Sequence, residues 1–318
     1  MLQVMTDDKQ GGMYDISELV TDATWKTSRI GKPGSFDFTI LQDRNYMIHN
    51  GDIVTVKYED KPLFYGYVFS IGRSQEETLK IKAYDQIRYL TATDTYVFKN
   101  KTAAAIIKQI ANDFELKWGH IADTKYAIPN LIEDGQKLID IIDKALALTT
   151  VNTGSIYVLY DDYGNLALQN VKDMKLDIAI GDGSLMTGFS IEKSIDSETY
   201  NQIKLVRDNK DTKKRDVHIT QDSANMAKWG RLQYYEKVDE NMNDAQIRQL
   251  LDQLIKLKNR ETKSLKVDAL GDPSVRAGCY IHIEIGELAI NQLYLVEECS
   301  HRFSGEEYTL QIELKVIE

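Results

Sequence analysis

Cysteine and proline are scarce in this 318-residue chain: two cysteines and four prolines. Two cysteines, Cys279 and Cys299, make no disulfide framework, so reduced thiols and synthesis in the cytoplasm are expected. Four prolines with no Ser/Gly/Pro-rich tract exclude long flexible linkers. No apolar run approaches the about 18 residues of a membrane span. The most apolar stretch, Leu138–Leu148, is broken by Asp140, Asp143 and Lys144, and the N-terminus lacks the pattern of a signal peptide. Basic charge is also in deficit. Lys and Arg number 39 against 49 Asp and Glu, for a net charge of −10. That disfavours specific nucleic-acid binding, which needs cations against phosphates.

What is present is ordinary for a globular protein, with 42% hydrophobic and 28% charged residues. Tyrosine is the exception, at 18 against 8 phenylalanines. It suits strands whose outer face meets water or another subunit.

The chain carries an internal repeat. Gly278-Cys279-Tyr280-Ile281-His282-Ile283, then Tyr294–Glu297, then Tyr308–Leu314 echo Gly51-Asp52-Ile53-Val54-Thr55-Val56, then Tyr65–Val68, then Glu77–Ala83. Leu79, Ile81 and Ala83 alternate as Leu310, Ile312 and Leu314 do, the pattern of a half-buried strand. Upstream, Thr21–Trp25 and Ser35–Leu41 align with Thr187–Ile191 and Asn201–Val206, Ile203 and Leu205 taking the apolar places. The fold class expected is α+β, mainly β, with one small β module used twice. The first module spans 1–98. An α+β insert spans 99–175, with helices after Thr102 and Gly135, an irregular stretch over Trp118–Ile128 and a hairpin around Asp162–Asn165. The second module spans 176–318 and carries a helical insertion at about 207–262. Within it, Asn243 and Gln246 predict a capping box.

No motif asks for chemistry. His49, His120, His218, His282 and His301 show no metal spacing. Glu297, Cys299 and His301 share a strand face by spacing, and a face of mixed residues accounts for them without an ion. Asp161–Asn165 has turn residues but not the length of a calcium loop. Gly181–Ser184 lacks the Lys-Ser/Thr of a phosphate loop. Glu76–Glu77 and Glu306–Glu307 fall in turns. The expected sets of catalytic, metal and cofactor residues are therefore empty.

Several stretches together resemble the baseplate hub proteins of contractile phage tails and tail-like bacteriocins. The XkdQ/YqbQ-like branch is the nearest, with late-control and VgrG hub proteins more distant. Leu270-Gly271-Asp272-Pro273-Ser274-Val275-Arg276-Ala277-Gly278 resembles the family's entry to its last barrel, with Ala277 for the usual Pro and Cys279 for the usual Asp. Tyr294-Leu295-Val296, His301-Arg302-Phe303-Ser304-Gly305 and Tyr308–Ile312 resemble its ending, and Leu138–Val171 its helix-then-hairpin insert. The resemblance implies two tube-forming split barrels with inserts, and a non-enzymatic virion protein. It also implies a homotrimer that joins a sixfold tail tube to a central spike and touches other baseplate and tape-measure proteins. A tail-associated cell-wall hydrolase is one alternative. The other is a carbohydrate- or receptor-binding tip protein using Trp118 and Trp229.

Overall fold

In the computed structural model, residues 1–42, 46–73, 77–196, 198–209 and 213–315 are described. Glu76 and, in the charged loop, Lys210, Asp211 and Thr212 lie outside them. The described residues divide into two compact units: Met1–Ser190 with Lys266–Lys315, and Ile191–Leu265.

The larger unit is built on a 13-stranded sheet. Its first seven strands are β1 (Leu2–Asp7), β2 (Met13–Asp15), β3 (Val20–Ser28), β4 (Ser35–Leu41), β5 (Ile53–Tyr58), β6 (Lys61–Arg73) and β7 (Thr78–Tyr84). The 3-10 turn Gln86–Thr91, capped by Asp85, closes this module. Phe36, Phe38, Ile40, Ile81 and Ala83 form its core with Val4, Trp25, Val54, Val56 and Phe64.

The insert follows: β8 (Thr93–Thr102), α1 (Ala103–Asp113), β9 (Trp118–Ile121), β10 (Ala127–Lys137), α2 (Leu138–Thr153), β11 (Tyr157–Asp161) and β12 (Leu166–Asn170). Thr102 caps α1 by accepting from Ala105 N at 3.2 Å. Gly154 ends α2 in the left-handed conformation. The stretch expected to be irregular instead supplies β9 and the start of β10. Pro129 sits inside β10, in a two-stranded ribbon with β8 where every strand is an edge and a missing N–H is tolerated. Ile106, Ile107, Ile110, Leu138, Ile141 and Ile142 pack the helices against these strands.

The remaining strands of the sheet are β13 (Lys175–Gly181), β14 (Met186–Ser194), β18 (Thr262–Leu270), β19 (Tyr280–Ile285), β20 (Ile290–Ser304) and β21 (Glu307–Lys315). The hydrogen-bonded order β3-β4-β7-β6-β5-β1 is matched step for step by β14-β18-β21-β20-β19-β13. The repeat extends to single bonds. Gly51 N donates to Val68 O at 2.8 Å and Val68 N to Asp52 O at 2.9 Å; Gly278 N donates to Val296 O at 2.8 Å and Val296 N to Cys279 O at 3.0 Å. Gly51 and Gly278 have φ of 93° and 91°, a backbone position that disfavours a side chain. A bulge follows each valine, between Val68 and Ser70 and between Val296 and Glu298. Two split-barrel-type modules therefore carry this mainly β chain, with one α+β segment between them in sequence and a second inserted between β14 and β18. The modules join where β20 pairs with β3, from Glu298 opposite Ser28 to Ser304 opposite Asp22.

One part of the sequence alignment is corrected. The place of Ser35–Leu41 in the second module belongs to β18, with Leu265, Val267 and Ala269 inward. Asn201–Val206 lies instead in the smaller unit. There β15 (Gln202–Asn209) is flanked by antiparallel β16 (Lys214–Gln221) and parallel β17 (Gln233–Lys237). The short α3 (Ser223–Trp229) and α4 (Asp244–Lys258) complete the unit. Ile247 and Leu251 of α4 cover Ile203 and Leu205, and the Asn243–Gln246 capping box is formed in both directions at 2.9 Å. Arg207 Nη2 binds Asp216 at 2.8 Å and Asp244 at 2.9 Å, tying sheet to helix.

Candidate functional site

Three places in the larger unit gather titratable side chains. The first surrounds His301, which is fully buried. Its Nε2 lies 2.9 Å from Val275 O. A carbonyl only accepts, so Nε2 carries the proton and Nδ1 accepts from the Tyr308 hydroxyl at 2.8 Å. Trp25 stacks on the imidazole at 4.7 Å between centroids. Burial pushes the His301 pKa down to about 4 and holds the Cys299 thiol well above its usual range, the neighbouring Cys279 adding to the effect. The imidazole is neutral with both nitrogens engaged, and Cys299 is a thiol rather than a thiolate. Neither is poised to attack a substrate. Glu297 is the extra residue of the bulge. It leaves the Cys299–His301 face and binds Arg29 Nε at 2.9 Å. Among the described residues no group of three His, Cys, Asp or Glu side chains is placed to hold a metal. What this site does is tie the Gly271–Gly278 loop to the joint between β20 and β3.

The second place is the buried junction at Arg276, which sequence reasoning missed because its members are far apart in the chain. The Arg276 guanidinium lies 4.0 Å from the Tyr160 ring centroid, and its Nη2 donates to Asp161 O at 3.3 Å. Asp85 accepts from Gly34 N at 2.8 Å and Ile87 N at 3.0 Å. Burial, with the Asp161 carboxylate nearby, raises the Asp85 carboxyl well above the ordinary range, and burial lifts Asp161 to about 6. First module, insert and second module meet here. The Asp162–Asn165 turn is part of the same joint. Tyr163 and Gly164 have φ of 48° and 91°, a tight hairpin turn, and Asp161 Oδ1 accepts from Gly164 N at 2.6 Å. Tyr163 meets Tyr65 of β6 edge-on at 5.9 Å. Gly181–Ser184 is likewise a turn, with Asp182 Oδ2 accepting from Gly286 N at 2.7 Å. Trp118 is half-exposed and bonds Asn112 Oδ1 at 3.0 Å; Trp229 is half-buried beneath Lys228.

The third is the face of the sheet opposite the two cores. Strand alternation puts Asp22, Asp37, Asp268, Glu298, Glu307 and Glu313 there, interleaved with Lys26, Lys80, Lys82, Lys266 and Arg302. Ion pairs cross the strands, Lys82–Asp37 at 3.4 Å, Arg302–Asp22 at 3.3 Å and Lys266–Glu313 at 3.6 Å, and Lys32 in the turn between β3 and β4 reaches Glu298 at 2.6 Å. The face is close to neutral although the chain is acidic.

Residues 23–315 match the model of the YqbQ-like family. The chain belongs to that family. A curated relative, the phage-like element PBSX protein XkdQ of Bacillus subtilis strain 168, is 35% identical over 306 residues, covering 93% of each chain. The same fold is found in the 43 kDa tail protein of prophage MuSo2 from Shewanella oneidensis, with a TM-score of 0.70 at 14% identity over 98% of both chains. It is found again in the Escherichia coli c3393 protein, described as a type VI secretion component with structural similarity to the T4 tail proteins gp27 and gp5. That match has a TM-score of 0.57 at 10% identity and covers 94% of this chain and 74% of that one. This YqbQ-like chain thus has the fold of phage tail proteins.

Proposed function

We propose that this YqbQ-like protein is the non-enzymatic hub of a contractile phage-tail-like baseplate. It is made in the cytoplasm and assembled into the particle. Three copies form a ring through their β modules, seat the sixfold tail tube on one side and hold the central spike on the other. The observation that carries this is the repeated strand order β3-β4-β7-β6-β5-β1 and β14-β18-β21-β20-β19-β13. Two like modules in each of three chains give a ring of six like positions, which lets a threefold object meet a sixfold one. The near-neutral sheet face supports a channel lining that tape-measure protein or DNA passes without sticking. The insert over 99–175 and the smaller unit reach other baseplate components. The test is co-purification with the tube and spike proteins of the same particle, followed by native mass measurement and electron microscopy. A threefold ring between tube and spike is the expected result. A single copy of the chain in that complex, or none, overturns the reading.

A further inference from the structure

The smaller unit is a sheet with its two faces treated differently. Along β15 the side chains alternate between them. Ile203 and Leu205 point to α4, where Ile247 and Leu251 cover them. Lys204 and Val206 point the other way. Register sets Val217 and Ile219 of β16 beside Val206 and Lys204, and Tyr235 of β17 on the far side of Lys204. This second face is open: Val217 and Ile219 are each 51% exposed and Tyr235 is 50% exposed.

Two observations say what the open face takes. The first is the make-up of the strands. Ile203, Leu205 and Val206 are all buried, Val206 at 2% exposure, and a near-continuous apolar run belongs to a strand packed on both sides. A sheet that met water on one face would carry polar side chains where Val206, Val217, Ile219 and Tyr235 stand. The second is charge. Lys204, Arg215 and Lys237 share this face with one carboxylate, Asp208, which Arg215 binds at 3.0 Å and Lys237 at 2.6 Å. The surrounding unit has the same bias. Lys and Arg number 15 against 13 Asp and Glu across Ile191–Leu265, in a chain with 39 against 49. An apolar centre with a cationic rim complements an apolar stripe flanked by carboxylates.

The covered face shows how such an occupant sits. There α4 lays Ile247 and Leu251 on the sheet and brings Asp244, in its first turn, to Arg207 at 2.9 Å. We propose that the open face docks an acidic amphipathic helix of another protein of the particle, so that the sheet lies between two helices. The apolar stripe of that helix lies over Val217, Ile219 and Tyr235, and its carboxylates meet Lys204 and Lys237. β16 and β17 flank β15, so their rows stand about 10 Å apart, the width of one helix. This deepens the reading that the smaller unit reaches other baseplate components, and rests on it.

The test is photo-cross-linking in assembled particles that carry the full chain. A benzophenone amino acid replaces Ile219 in one preparation and Gln249, on α4, in a control. Both positions are exposed. The cross-linked segment is then sequenced by mass spectrometry. The Ile219 position is expected to form an adduct with a segment of a different protein, one with apolar residues at helical spacing and more Asp and Glu than Lys and Arg. The Gln249 position is expected to form none with that segment. The docking proposal is overturned if particles containing the chain give no adduct from Ile219. An adduct with a second copy of this chain, with nucleic acid or with a segment rich in Lys and Arg also overturns it. Each of these results leaves the hub reading standing. A chain absent from the particle overturns both.

Discussion

The two modules share a strand order and single hydrogen bonds, yet differ in what lies outside them. β1 runs antiparallel to β5, whereas β13 runs parallel to β19. β1 begins the chain, while β13 arrives from the insert and reaches the same slot from the opposite end. The order of the inner strands is what the module keeps; the direction of the outermost one is set by the connection. The second difference lies on the long strand. Beyond the bulge, β20 is buried under β3 and carries the His301 cluster, while the matching part of β6 is open. One position thus serves as core in one copy and surface in the other.

The sharpest way to break that comparison is to truncate both. His301→Ala leaves the Tyr308 hydroxyl and Val275 carbonyl without a buried partner and opens a cavity beside Trp25. It is expected to cost about 3 kcal/mol in urea unfolding of the isolated chain. Arg73→Ala, at the equivalent place, is expected to change stability by no more than about 0.5 kcal/mol. Equal costs would mean that the two edges are not as different as their burial.

Acid should act through the same histidine. Its folded pKa of about 4 lies below the 6.5 of an ordinary histidine, so the unfolded chain takes up the proton first. This contribution is fully present above about pH 6.5 and is lost as pH falls toward 4, amounting to about 2 kcal/mol between pH 7 and pH 5. Asp143 and Asp161, raised by burial to about 6, act in the opposite sense, favouring the fold at low pH and losing that contribution as pH rises through 6. The measurement is therefore a difference. Wild type against His301→Gln, unfolded at pH 7 and pH 5, should converge as the pH drops. A gap that stays constant would show that His301 does not titrate between those values.

The glycines Gly51 and Gly278 compare the modules at smaller scale. A Cβ on Gly51 would meet nothing within 4 Å, whereas one on Gly278 would sit 2.9 Å from Val158 Cγ1 and Cγ2. Alanine at Gly51 bears only the strain of its positive φ, about 1 kcal/mol. At Gly278 the insert stands in the way, and the overpacking adds about 1 to 2 kcal/mol. Thermal melts of the two variants would coincide only if the insert yields freely.

These equivalences also mark how far the sequence could be read. The phase of β7 and β21 and the two glycines were legible because alternation and turn chemistry are local. The partner of β4 was not. Ile203 and Leu205 alternate because α4 covers one face of β15, and the same period arises from Leu265, Val267 and Ala269 in β18. Period two reports a half-buried strand and is silent on which sheet it joins. The Glu297–Cys299–His301 face failed for a related reason, since a bulge moves one residue off a face without leaving a mark in composition. The Arg276 junction needed three distant segments to be brought together, and no spacing announces that.

The smallest effect concerns the polar face. Asp37 faces Lys82 between β4 and β7; at the equivalent place between β18 and β21, Lys266 faces Glu313. The pair is kept and its polarity reversed. Exposed pairs of this kind contribute about 0.5 kcal/mol or less, so stability alone gives little reason for either sense. Exchanging the second pair, with Lys266→Glu and Glu313→Lys, should leave urea unfolding within about 0.5 kcal/mol of wild type. The exchange preserves net charge and would give both modules the same polarity. A loss well beyond that bound would instead mean that Lys266 and Glu313 are held in a buried contact, and that this face does not meet solvent.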